Sequence, residues 1–276
     1  MASPNRETLP LNGKGAKSEP LLESLSDTLP TLPSGRRILS PREIEVRYFV
    51  PDSVVKALTD DRPFTAIRQH YFSRSELASI LKRFGVDDVV KDVGEFTSGR
   101  VRCSKGPDGS VKHELEFKGP KESVYGAPIS RREFSISISE DLFDLLVPMA
   151  TAGALKKRRF ELDGQVRPRG GACPATAHID ITRRLGNSLK KIDPYFCTVD
   201  IELSSTTHLS ALRLGDHSFP FLKECVEIST LSRKLRGDLS NSALARHGLD
   251  SDRREAISAV RDEAEHLCRL NRKLKR

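Results

Sequence analysis

The feature that most constrains this chain is a pattern that recurs along it: short runs in which charged and aliphatic residues alternate one for one. Glu43-Ile44-Glu45-Val46-Arg47 is the first of them. In a β-strand, residues two apart point to the same face. Glu43, Glu45 and Arg47 therefore share one face, and Ile44 and Val46 take the other. His178-Ile179-Asp180-Ile181-Thr182 alternates as strictly. Cys197-Thr198-Val199-Asp200-Ile201-Glu202-Leu203 sets Asp200 and Glu202 on one face, as Glu43 and Glu45 are set. An apolar back and a charged front suit a strand in the wall of a polar cavity, and equally a strand at the surface. The choice depends on whether other segments offer matching charged faces.

They do. Ser98–Cys103 reads as a strand with Arg100 and Arg102 on one face, followed by the turn chemistry of Gly106-Pro107-Asp108-Gly109. His113–Lys118 returns with Glu114, Glu116 and Lys118 in phase, and Ile129–Ile138 aligns Arg131, Glu133 and Ser135. Ala66–Phe72 is a further strand, with Ile67, Tyr71 and Phe72 as strand formers. Leu155–Leu162 holds the basic run Lys156-Lys157-Arg158-Arg159; with Lys156 and Arg158 inside, a one-residue slip would exchange them for Lys157 and Arg159. Helical spacing predicts helices over Asp52–Thr59, with Asp52 as N-cap, over Ser75–Phe84 and from Asp141 through Met149. Strands that carry both signs of charge favour closure, because like charges alone could not be confined without heavy desolvation and repulsion. The expected fold is α+β: an eight-stranded antiparallel closed β-barrel, a tunnel, with helices packed on its outer apolar face.

Residues 1–40 are broken by Pro4, Pro10, Pro20, Pro30 and Pro33 and poor in periodic apolar residues, so they read as a disordered leader. The folded domain is expected over 41–248, and 249–276 as a helix that ends basic. With 46 Lys+Arg against 38 Asp+Glu, the net charge of +8 favours anionic partners. The absence of Trp argues against broad base-stacking platforms. Five scattered Cys without a C-x-x-C pair argue against a zinc site and a disulfide framework. No apolar run approaches the roughly 20 residues that span a bilayer. The expected setting is a reducing compartment, the cytoplasm, and the sequence leaves the oligomeric state open.

Arg47, Arg100, Arg102, Lys118, Arg131, Lys156 and Arg158 suit a ligand with several phosphates, because guanidinium forks pair bidentately with phosphate oxygens. The carboxylates Glu43, Glu45, Asp180, Asp200 and Glu202 would repel that ligand unless a cation lay between. Hard oxygen donors select Mg²⁺ or Mn²⁺.

At this point the sequence resembles a known family. Glu43-Ile44-Glu45-Val46-Arg47 is similar to the E-x-E-x-K signature of the CYTH domain, or triphosphate tunnel metalloenzyme superfamily, with Arg47 in place of the lysine. In order along 41–248, Arg100-x-Arg102, Phe117-Lys118-Gly119-Pro120, Arg131-x-Glu133, Lys156-x-Arg158 and Asp200-x-Glu202 resemble its later motifs. Phe221–Ser229 and Asn241-Ser242-Ala243-Leu244-Ala245 resemble the segments that close the domain. The resemblance implies an eight-stranded antiparallel tunnel and hydrolysis of a triphosphate-containing small molecule: inorganic triphosphate, a nucleoside triphosphate or thiamine triphosphate. It implies Glu43, Glu45, Asp200 and Glu202 as catalytic residues. Glu43, Glu45, Asp180 and Glu202 would be metal ligands, and the basic residues would clamp the phosphates. Alternatives are an RNA 5′-triphosphatase, with an RNA 5′ end as partner, and a non-catalytic polyphosphate- or nucleotide-binding module.

Overall fold

The alternating runs form strands, and the 3.6-periodic runs form helices laid on their apolar backs. The computed structural model describes residues 42–83, 96–119, 129–166, 173–185, 196–203, 219–228, 241, 244–245 and 251–274. The leader over 1–40 and the segment Thr207–Leu214 lie outside the described residues. In chain order the elements are β1 (Arg42–Phe49), α1 (Asp52–Thr59), β2 (Thr65–Tyr71), α2 (Arg74–Arg83), β3 (Ser98–Lys105) and β4 (Val111–Lys118). Then come β5 (Ile129–Ser137), α3 (Glu140–Leu146), β6 (Ala154–Val166), β7 (Cys173–Leu185), β8 (Phe196–Leu203), β9 (Val226–Glu227) and α4 (Ser251–Leu274).

Local chemistry fixes several boundaries. Ser73 and Glu76 form a reciprocal cap at the start of α2: the Glu76 amide donates to Ser73 Oγ at 3.3 Å, and the Ser73 amide to Glu76 Oε2 at 2.6 Å. Ser139 caps α3 by accepting from the Leu142 amide at 3.2 Å. Asp52 is not the cap of α1; Pro51 holds that position, and Asp52 lies in the first turn, where its negative charge is favoured by the positive end of the helix dipole. In the β3–β4 turn Gly109 adopts φ +85°, a conformation that L side chains resist.

The expectation of an eight-stranded closed barrel is corrected. Among the described residues the strands form one nine-stranded antiparallel sheet in the order β5-β4-β3-β2-β6-β7-β8-β1-β9. The reason lies in the edge of β1. β8 takes one edge, pairing Glu45 with Glu202 and Arg47 with Asp200. The other edge is divided: Arg42–Glu45 pair with β5, and Tyr48 and Phe49 pair with β9. A uniform eight-strand ring would need β5 to run along all of β1, and β9 occupies the remaining half.

The sheet sorts its side chains by phase. One apolar cluster unites the backs of β1, β6, β7 and β8 with α1, through Val46, Val54, Phe160, Ile179 and Val199. A second packs β3, β4 and β5 against α2 and α3, through Leu77, Val101, Leu115, Phe117 and Phe143. The third is of another kind. Phe49, Leu155 and Phe196 are in phase with the inward-facing charged residues of their strands, Tyr71 is in phase with Gln69, and all four pack against Ile257, Val260 and Ala264 of α4. The charged face is therefore sealed at one end by apolar side chains and the last helix. Among the described residues, no helix is long and apolar enough to cross a membrane.

Candidate functional site

The charged face turns away from water. Glu45, Asp200 and Lys157 are each 2% exposed, and Asp180 is wholly buried. Such burial is tolerable only where opposite charges and hydrogen bonds meet. Arg47 donates to Asp200 through Nε at 2.6 Å and Nη2 at 2.8 Å, a bidentate fork. Its register partner across β1 and β8 is Asp200, so the pair follows from strand alignment. Glu45 lies 3.5 Å from Arg47 and 3.4 Å from Arg131. Arg100 and Arg102 grip Glu116, Arg102 at 2.8 Å, and Arg102 also reaches Glu114 at 2.7 Å. Lys118 meets Glu133 at 2.7 Å.

Lys156 and Arg158, expected inside, are corrected: both are exposed on the opposite side of β6. Lys157 and Arg159 take the inner positions, each 2.8 Å from Asp180. Two partners set this phase. Phe160 is drawn into the outer core beside Ile179 and Val199, and β7 places Asp180 opposite Arg159. A four-residue basic run is blind to that choice; the apolar residue after it carried the signal.

Asp180, expected as a metal ligand, is committed to two cations. Burial works against its charge, but Arg159 and Lys157 prevail and hold its carboxyl well below the usual range. Burial pushes the Asp200 carboxyl up, while Arg47 pulls it down and neighbouring Glu45 adds to the rise. Burial also lowers Lys157 to about 8, against the opposing pull of Asp180. Glu116 is buried too, yet Arg100, Arg102 and Lys118 bring it down to about 2.

Glu202 Oε1 lies within hydrogen-bond distance of His178 Nδ1, at 2.9 Å. Glu45 and Glu202 are cross-strand neighbours, and Glu43 is two residues along β1, opposite Arg131 of β5. The side chain of Glu43 lies outside the described residues. Among the described residues, no three His, Cys, Asp or Glu side chains converge on a point that could hold a metal. The β1–β8 register sets Glu45 opposite Glu202, two hard oxygen donors of the kind Mg²⁺ or Mn²⁺ prefers.

Two polar side chains on this face were not singled out by sequence. Gln69 is 1% exposed; its Oε1 accepts from Tyr71 Oη at 2.9 Å and from Arg100 Nη1 at 3.4 Å. Those bonds leave its Nε2 without a partner among the described residues, as is the Thr182 hydroxyl. A buried donor without a partner costs about 1–3 kcal/mol, so such groups suit a polar ligand. The signal in sequence was their phase: Gln69 alternates with Tyr71 and Thr182 with Asp180.

Comparison with known proteins gives neither a matching family model nor a matching curated protein. Solved structures similar to this chain include the inorganic triphosphatase NE1496, at 16% identity and TM-score 0.33, covering 74% of this chain and 93% of that one. A second structure of NE1496, described as a hypothetical protein, matches at 18% identity and TM-score 0.33, covering 74% and 97%. PH1819 protein from Pyrococcus horikoshii OT3 matches at 17% identity and TM-score 0.34, covering 59% and 78%.

Proposed function

We propose that this protein is a metal-dependent hydrolase of a triphosphate-containing small molecule, acting on the charged face of its sheet. The observation that carries the reading is the convergence of Arg47, Arg100, Arg102, Lys118, Arg131, Lys157 and Arg159 on one buried face, together with the unpartnered donor of Gln69. Phosphate oxygens can replace the carboxylate partners of these cations and take the Gln69 amide as well. Preorganised cations of this kind stabilise the charge that develops as the phosphoryl group transfers.

Glu43, Glu45 and Glu202 would hold a divalent cation, Mg²⁺ or Mn²⁺. When bound, it would offset the repulsion between carboxylate and phosphate and act as a Lewis acid. His178 holds the Glu202 carboxylate in place through its 2.9 Å contact. Arg47 restrains Asp200, so Asp200 serves as counterion to Arg47 and orients it. The apolar seal at one end leaves the carboxylate-rich end of β1, β7 and β8 as the side from which a triphosphate reaches the cations. Water attacks the terminal phosphorus, the bond to the bridging oxygen breaks, and the rest of the chain leaves with that oxygen.

The test is phosphate release from inorganic triphosphate, ATP and thiamine triphosphate, with and without Mn²⁺. Metal-dependent release from at least one is expected, and its absence from all three would overturn hydrolysis of small triphosphates. Glu45→Gln should lower turnover by about 100-fold or more while the protein stays folded.

One observation favours a second reading, a polyphosphate-binding module without turnover. Asp180, Asp200, Glu114, Glu116 and Glu133 are all ion-paired, which leaves fewer carboxylates for metal chemistry. Calorimetry showing tight triphosphate binding in a protein that releases no phosphate would select it.

A further inference from the structure

We propose that the groove between α1 and the outer faces of β2, β6 and β7 is a second binding site, built for a nucleoside monophosphate. It lies on the opposite side of the sheet from the charged face, and of its lining residues Lys157 turns its ammonium to that face, where it pairs with Asp180. The groove encloses about 670 Å³, within the range of cavities that take small organic ligands. Its floor is apolar, with Val55, Ala66 and Ile181.

A stacking platform stands at its wall. Phe64 is 38% exposed, an unusual position for a large ring among the described residues. It leans on Phe160 with ring centroids 5.7 Å apart, and the Arg158 guanidinium lies 5.1 Å over its centroid. Phe160 braces the Phe64 ring at a tilt of 48°, and Arg158 over that ring presents a planar cation, a group that stacks well on an aromatic heterocycle.

Charge points to an anion beside that heterocycle. Lys56 and Lys156 line the same groove and are exposed. Among the described residues, Lys56, Lys156 and Arg158 make no ion pair, whereas Lys157 and Arg159, their neighbours on β6, are both bonded to Asp180. Asp52 and Asp60 also line the groove. Carboxylates repel a bare polyphosphate but accept hydrogen bonds from sugar hydroxyls and base amino groups. A ligand that satisfies all of these has an aromatic base, hydroxyls and one phosphate.

The experiment is calorimetric titration of the full chain with AMP while inorganic triphosphate saturates the charged face. Saturable AMP binding is expected, weakened about tenfold or more by Arg158→Ala and by Lys156→Glu, two exposed positions whose replacement leaves the protein folded. Adenosine, lacking the phosphate, and ribose 5-phosphate, lacking the base, should each bind at least about tenfold more weakly than AMP. The proposal is overturned if AMP shows no saturable binding, if triphosphate displaces it, or if both variants bind as the parent does.

Discussion

The two sides of β6 carry the same charges and use them in opposite ways. Lys157 and Arg159 are turned inward and locked to Asp180, whereas Lys156 and Arg158 are exposed and border a groove with an aromatic wall. The difference is a matter of solvent. On the inner side, desolvation makes an unpaired charge too costly, so every cation must bring a carboxylate or a ligand. On the outer side, water supports a lone ammonium, and a cation can stay available without a partner.

The sharpest way to break this contrast is to remove the inner counterion. Asp180→Ala strands Lys157 and Arg159 and should cost about 3–5 kcal/mol in urea denaturation. Lys156→Ala, on the outer side, should stay within about 0.5 kcal/mol. Equal losses would show that the inner network is solvated like the surface.

Acid should act on the inner side next. Glu116 is held at about 2 by its cations, below the ordinary 4.5. A depressed carboxylate contributes stability above the unfolded value, and that contribution fades as pH falls from 4.5 toward 2. Melting temperatures across this window should drop, and Glu116→Gln should flatten the profile; a profile identical to the parent would remove Glu116 from the account.

The base limb has the opposite sign. Lys157, at about 8 in the fold against an ordinary 10.5, binds its proton less tightly than the unfolded chain does. Stability from this group therefore rises as pH climbs from 8 to 10.5. Triphosphate affinity should fall over the same rise, because the neutral amine no longer attracts phosphate. Binding isotherms on either side of pH 8 would show it, with Lys157→Arg holding the affinity steady.

The smallest effect belongs to the outer platform. Phe64→Ala removes a half-exposed ring and its contact with Arg158, worth about 0.5–1 kcal/mol of stability. Thermal denaturation should register that loss, and a change several times larger would mean that Phe64 belongs to the core and not to the groove.

Much of the architecture was legible in the residues. The one-for-one alternation in Glu43–Arg47, His178–Thr182 and Cys197–Leu203 predicted strands with a charged and an apolar face, and each is a strand. Gly106–Gly109 predicted the turn between β3 and β4, which Gly109 makes with its positive φ. Arg47, Arg100, Arg102 and Lys118 were read onto the inner face from phase alone, and they are there. The closed eight-strand ring was not legible, because strand number and edge sharing depend on which segments meet. The pairing of β9 with Tyr48 and Phe49 rests on two residues far along the chain.

What the sequence determined by itself was periodicity: which residues share a face, and that one face of the sheet must carry charge. That follows from backbone geometry, which is local. What only the tertiary structure decided was partnership. It chose Lys157 over Lys156, gave Asp180 to two cations, left the Gln69 amide unmatched, and sealed one end of the charged face with Phe49, Tyr71, Leu155 and α4. Those outcomes depend on desolvation and cross-strand register, and both are set by residues distant in sequence.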